Sequence, residues 1–184
     1  MIEILATLSA SAAAGMRIGI PLFIIFLLQG SDFWSQVPIF SHVSHRVLLT
    51  LVIGCSFAEI FVSKKLWGQR ILQVIHLSLS PIVGGIMGLT VASATATPQW
   101  LLAGIGGLFA LVLQLVQVGW FYRLRGLPLW AVFLQDTLCI ALVLFAFDAP
   151  WQGGLIALIL LLFALHSAKQ WYDWYHKAGK KNNA

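Results

Sequence analysis

Long apolar runs follow one another along almost the whole chain, separated by gaps of only a few polar residues. They cover about residues 4–28, 47–62, 71–94, 100–122, 127–147 and 151–172. Most of these runs approach the ~20 residues that a helix needs to cross a ~30 Å hydrocarbon core. Of all residues 60% are hydrophobic and 9% charged, whereas an average soluble domain is roughly 25% charged. The sequence therefore predicts an all-α integral membrane protein, a polytopic bundle of about six transmembrane helices.

Basic residues occupy alternate gaps of this pattern. The second gap, the fourth gap and the tail contain Lys64, Lys65, Arg70, Arg123, Arg125, Lys177, Lys180 and Lys181. The only lysine or arginine in the other gaps is Arg46. Because basic loops stay in the cytoplasm, we expect N- and C-termini that are both cytoplasmic, a single transmembrane domain over residues 1–176 and a short basic tail over 177–184. Membrane orientation also explains the net charge of +5 better than nucleic-acid binding does.

Several polar side chains fall inside the apolar runs, where hydrocarbon penalises them. We define the intramembrane polar core as Arg17, Glu59, Gln73, His76, Gln114, Gln117 and Asp136. Charged groups at this depth usually face the bundle interior and pair with one another. We therefore expect Arg17 to pair with Asp136 or Glu59, either as a static structural pair or as part of an active site or transport gate. His76 is expected to make an interhelical hydrogen bond, with proton shuttling as the alternative.

Small residues form stripes on the third and fourth apolar runs. Gly84 and Gly88 are spaced as a GxxxG pair, and Ala103 and Gly107 repeat the small-xxx-small spacing. Such stripes let two membrane helices pack closely. The inner halves of the same runs carry Gln73, His76 and the glutamines of the fourth run, so that half is either a polar pocket or a packed hydrogen-bonded network.

Motifs that would indicate catalysis or metal binding are absent from the sequence. It contains no HExxH, GxSxG, phosphate-binding glycine loop or CxxC pattern. Cys55 and Cys139 lie within apolar runs, and His42 and His45 are interpreted as parts of an interfacial loop. We therefore expect a protein that is not an enzyme and that uses neither a cofactor nor a metal.

Three elements resemble those of a family of small bacterial integral membrane proteins of unknown function, DUF4126. They are Ala13-Ala14-Gly15-Met16-Arg17, the series Glu59, Lys64, Pro81 and Gly84, and Leu134-Gln135-Asp136-Thr137. The resemblance implies a multi-pass protein of the bacterial inner membrane or of an internal bacterial membrane. The family lends no activity.

This chain departs from the family pattern by losing charge. Neutral residues replace the family's charged ones at Ala13, Ser63, Gln69, Gln73, Ser80 and Gln135, and His76 stands where glutamine is usual. The chain therefore resembles a divergent, charge-depleted member that retains Arg17, Glu59 and Asp136. Retention of these three residues fits a structural pairing.

Two functions remain open at this stage. The first is a non-catalytic accessory, scaffold or assembly subunit of a larger membrane complex, including an energy-transducing one, with other membrane subunits or further copies of the chain as partners. The second is a small transporter or channel-like protein with a cytoplasm-facing polar pocket for an ion or small solute. Gly15 and Pro81, which interrupt the first and third runs, favour the second function because broken helices often form transporter sites.

Overall fold

The computed structural model of the protein describes residues 1–36, 44–64, 66–93, 98–124 and 128–181. These ranges contain seven α-helices and no strand. The helices are α1 (Ile2–Met16), α2 (Gly19–Gln36), α3 (His45–Val62), α4 (Leu66–Ser93), α5 (Gln99–Leu124), α6 (Leu129–Asp148) and α7 (Pro150–Lys181).

Among the described residues, four helices are long and apolar enough to cross a membrane. They extend over Trp67–Ser93, Gln99–Arg123, Leu129–Asp148 and Pro150–Gln170. Large apolar side chains such as Leu108, Phe133 and Leu162 are exposed on their outer faces, which suits contact with lipid. The predicted membrane helix bundle is therefore confirmed, while the count of about six spans stays a prediction.

The first apolar run forms two helices, and the interruption expected at Gly15 lies two residues further on, at Arg17. Helix α1 ends at Met16, Arg17 adopts an extended backbone (φ −143°, ψ 147°), and α2 begins at Gly19. Pro21 lies in the first turn of α2, where its missing N–H costs the helix nothing. The break therefore coincides with a residue that needs a buried partner, Arg17, and with a sequence suited to start a new helix.

Helix α1 occupies the centre of the bundle, in contact with α4, α5, α6 and α7. Its small side chains let these helices approach closely, and Ala10, Ala12 and Ala13 are fully buried. The hydroxyl groups of Ser9 and Ser11 donate to the carbonyl groups of Leu142 in α6 (2.7 Å) and Gly84 in α4 (3.3 Å). The hydroxyl oxygen of Thr7, also on α1, is buried and has no hydrogen-bond partner among the described residues.

The contacts of α1 define its direction in the bundle. Near its start, Ala6 packs in one cluster with Val91 and Leu102, where α4 ends and α5 begins. Leu5 lies beside Gly154, in the first turns of α7. Helix α1 therefore begins at the end of the bundle that holds the α4–α5 and α6–α7 connections, which we term the far end.

The opposite end of the bundle holds the α3–α4 and α5–α6 connections, and we term it the basic end because Lys64, Arg70, Arg123 and Lys169 lie there. Helix α2 starts near this end, beside the last turns of α3, and runs back antiparallel to α3. The start of α1 and the end of α7 thus lie at opposite ends of the bundle, because α1 runs towards the basic end and α7 finishes there. This arrangement differs from the expectation of both termini on one side.

Helices α4 and α5 make the closest contact in the bundle through their small residues. A Cβ atom on Gly84 would lie 2.5 Å from the Gly106 carbonyl oxygen, and one on Gly107 would lie 2.7 Å from the Pro81 carbonyl oxygen. A Cβ atom on Gly88 would overlap the Leu102 backbone and reach the Ala103 Cα. The stripes singled out in the sequence therefore lie in one interface.

Substitution of alanine for Gly88 is expected to lower stability by about 1–3 kcal/mol, because the added methyl group overpacks this contact. Gly85→Ala is the matched control, since its Cβ atom would meet only the Ala103 carbonyl oxygen at an ordinary 3.5 Å. The control should be neutral or slightly stabilising, because alanine is the better helix former. Thermal unfolding of both purified variants in the same detergent tests this prediction, and equal midpoints would contradict it.

Candidate functional site

The break between α1 and α2 exposes backbone groups that need hydrogen-bond partners in the bundle interior. Glu59, near the end of α3, supplies them for α2. Its two carboxylate oxygens accept hydrogen bonds from the backbone N–H groups of Ile18 (3.0 Å) and Gly19 (2.9 Å). The negative side chain also lies at the positive end of the α2 dipole. Glu59 is 1% exposed and therefore acts as a buried cap for α2.

Close approach of α2 and α3 makes this cap possible. A Cβ atom on Gly19 would lie 2.8 Å from both the Cα and the N atom of Ser56, one turn before Glu59. Only glycine lets the two backbones come this near. Residue 19 therefore allows the Glu59 carboxylate to reach the first N–H groups of α2.

The last carbonyl groups of α1 are satisfied by α6. Gln135 donates from Nε2 to the Met16 carbonyl oxygen (2.7 Å). The Ala13 carbonyl oxygen accepts the backbone N–H of Arg17 (2.9 Å) and lies 3.5 Å from the Cys139 sulfur. Both helix ends at the break are thus held by side chains from neighbouring helices.

Two ion-pairing contacts surround the break. Arg17 Nε lies 2.7 Å from Asp136 Oδ1, with the two side chains 5% and 16% exposed. This contact confirms the first of the two pairings expected for Arg17. Glu59 Oε1 lies 2.8 Å from His76 Nε2 instead, so the interhelical hydrogen bond expected of His76 connects α4 to α3.

The three glutamines of the polar core lie on α4 and α5. Gln114 donates from Nε2 to Gln73 Oε1 at 2.9 Å. The side-chain oxygens of Gln114 and Gln117 are buried and have no hydrogen-bond partner among the described residues. The network therefore holds unused acceptors inside the bundle.

A small polar cavity lies beside the break, with a volume of about 20 Å³. Its lining residues are Met16, Arg17, Ser63, Gln69, Leu72, Gln73, His76, Gln117, Val132 and Gln135. A polar space of this size holds about one water molecule. The polar core is thus a packed network around a single water-sized cavity, and it combines features of both arrangements that the sequence left open.

Other candidate groups stand apart from this network. Among the described residues, no three histidine, cysteine or acidic side chains are placed to hold a metal. Cys55 and Cys139 are free thiols, and His166 contacts Gln170 one turn away on α7. His42 lies outside the described residues, as does the side chain of His45.

The sequence indicated an interruption at Gly15, two residues before the observed break, but it did not predict the capping roles of Glu59 and Gln135. Gly19 and Pro21 are a signal that could have located the start of α2. Gln135 lies in the fifth apolar run, and its partner is a backbone carbonyl group that becomes free only because α1 ends at Met16.

Comparison with known proteins identifies the family. The sequence model of the domain of unknown function DUF4126 matches residues 4–170. The chain belongs to this family. The matched range of this DUF4126 protein contains the break, the polar core and the α4–α5 contact, and stops within α7. Searches of curated proteins and of solved structures found no significant match.

Separating Arg17 from Asp136 is expected to cost roughly 3–5 kcal/mol, because each single substitution leaves the other charge buried and unpaired. The variants are Arg17→Met, Asp136→Leu and the two combined. The double variant should lose less than the sum of the single losses by about 1–3 kcal/mol. Unfolding of the four proteins in mixed micelles measures the coupling, and strictly additive losses would show that the pair contributes nothing.

Proposed function

We propose that this integral membrane protein is a small transporter or channel-like protein whose site lies at the α1–α2 break. One observation carries the proposal: two half-helices meet inside the bundle, and the end of α1 at Met16 and Arg17 lines a polar cavity. Discontinuous helices of this kind form ion and substrate sites in many transporters, because their free backbone groups and end charges meet there. A membrane protein that serves only as a structural helix bundle does not need such a break.

The basic end is proposed to face the cytoplasm. Lys64, Arg70, Arg123 and Lys169 are exposed at that end, and the positive-inside rule retains such residues in the cytoplasm. The C-terminal end of α7 is then cytoplasmic, and α1 begins on the opposite side. In a bacterial inner membrane the polar cavity would open towards the cytoplasm, since the network lies in the basic half of the bundle.

A proton is the ion that the charges of the network favour. Arg17 balances Asp136, while Glu59 adds one further negative charge that only His76 can offset. The cluster therefore carries a formal charge of −1 with neutral His76 and 0 after uptake of one proton. The cavity beside His76 has room for the water that would deliver the proton.

An accessory or assembly subunit is the second candidate, and the size of the cavity favours it. The cavity has space for about one water molecule. The carboxylates of Glu59 and Asp136 both have hydrogen-bond partners. A static structural network requires no more than this. This role predicts other membrane subunits, or further copies of the chain, as stoichiometric partners. Neither candidate role is enzymatic.

Proton flux into proteoliposomes tests the transport proposal. A potassium diffusion potential, negative inside, is imposed with valinomycin, and the internal pH is followed with trapped pyranine. We expect acidification faster than in protein-free liposomes, and loss of most of this difference in Glu59→Gln and His76→Gln, which remove the carboxylate and the imidazole of the Glu59–His76 contact.

Arg70→Gln is the matched control, because Arg70 is exposed on α4 and lies outside the network. Size-exclusion profiles of all variants establish that each is folded before reconstitution. Acidification equal to that of empty liposomes, or unchanged by Glu59→Gln, would contradict proton movement through this site and leave the subunit role as the better account.

A further inference from the structure

An apolar groove runs between α5, α6 and α7 in the basic half of the bundle. Its larger section has a volume of about 380 Å³ and is lined by Leu113, Leu138 and Leu160 among others. A second section of about 270 Å³ continues towards the basic end and includes Gly119 and Arg123. Val116 and Trp120 line both sections, so the two form one continuous groove.

The groove opens sideways, towards the space that lipid would occupy. Trp130 and Leu134 on α6 and Phe163 on α7 line it and are 70%, 59% and 56% exposed. Its lining is overwhelmingly apolar. An occupant therefore enters from the bilayer and presents hydrocarbon to these walls.

Trp120 fixes the shape of the groove where its two sections meet. The indole N–H donates to the Ser167 hydroxyl on α7, and the ring meets Phe163 edge-on with centroids 5.4 Å apart. These contacts tie α5 to α7 across the floor. The groove is thus formed before any ligand arrives, as is usual for small-molecule sites.

The length of the groove matches one acyl chain. It follows α5 from Leu113 to Arg123, and about ten helical residues rise ~15 Å. Half of a ~30 Å hydrocarbon core has the same thickness. One acyl chain of a lipid in a single leaflet is therefore long enough to extend along the groove from Arg123 to Leu113.

Charge at the basic end selects the head group. Arg123, in the last turn of α5, lines the outer section together with Ser167 and apolar or small residues, and the described lining there contains no acidic side chain. Guanidinium groups bind phosphate oxygens with paired hydrogen bonds. Basic residues near the membrane surface, such as Arg123 at the basic end, also attract anionic lipids.

We infer that this groove binds one anionic phospholipid, with an acyl chain along α5 between Leu113 and Trp120 and the phosphate at Arg123. The site is separate from the transport proposal, and neither depends on the other. The groove and the polar cavity share three lining residues, Met16, Gln117 and Gln135, and are otherwise lined by different residues.

Native mass spectrometry of the purified full-length protein tests the site. The protein is mixed in detergent with equal amounts of dioleoyl phosphatidylglycerol and dioleoyl phosphatidylcholine. We expect one tightly retained phosphatidylglycerol per chain. Arg123→Gln should weaken its retention about fivefold, the factor that corresponds to the ~1 kcal/mol contributed by one basic residue. Arg70→Gln, at an exposed position on the same end, should leave retention unchanged.

Gly119→Phe fills the groove from α5 and should abolish retention. A Cβ atom at Gly119 meets no atom within 4 Å, so the new ring has open space and the fold is spared. Gly104→Phe is the matched control, because Gly104 is equally open on the same helix and lies outside the groove. Equal retention of the two lipids, or equal retention by the Gly119 and Gly104 variants, would overturn the proposal.

Discussion

The arrangement of the bundle depends on the break between α1 and α2, and the carboxylate of Glu59 stabilises this break. By accepting the first N–H groups of α2, it stabilises a helix start in a region where water is scarce and where an unpaired N–H group is costly. The chain can therefore stop α1 in the centre of the bundle and turn back. Without this cap, the most favourable course for the first apolar run is a single continuous helix.

Everything else at the break follows from that turn. The extended backbone at Arg17 separates the two helices and leaves the guanidinium group to pair with Asp136 on α6. The ends of α1 and α2 remain close to α4 and α6, which supply His76 and Gln135. Helices α3, α4 and α6, together with Arg17 at the break, thus contribute polar groups to a site that no single segment of sequence contains.

Hydropathy and residue type predicted much of this architecture. The apolar runs located the membrane helices, the glycine stripes located the α4–α5 contact, and the cost of burying charge predicted that Arg17 would find an acidic partner. These inferences succeed because they depend on local composition or on a penalty that applies wherever the group is buried. The sequence did not show that Arg17 pairs with Asp136 and not with Glu59. The structure shows it, because the Glu59 carboxylate already accepts the first N–H groups of α2 and contacts His76.

The direction of α1 could not be read from the sequence, for a physical reason. Orientation rules count basic residues, and the only charged residue before Arg17 is Glu3. A run of alanines and serines fits the bundle centre in either direction. The direction was decided instead by specific contacts, such as that of Ala6 with Leu102, which lie far apart in the sequence.

Gln135 closes the end of α1 with a neutral side chain. The sequence resemblance predicts an acidic side chain at this position, and here the amide donates to the Met16 carbonyl oxygen. An ionised glutamate has no proton to donate. The neutral amide is therefore suited to closing the end of α1.

Distances between spin labels test most directly whether the chain turns back at Arg17. Label pairs at Ile4 and Trp151, and at Ile4 and Tyr122, are introduced in a variant whose two native cysteines are replaced by alanine. All three positions are exposed. The account predicts a short distance to Trp151 and a distance to Tyr122 longer by ~20–30 Å, because about 20 helical residues separate Leu102, near the start of α1, from Tyr122. The reverse order, as a continuous first span would produce, would contradict it.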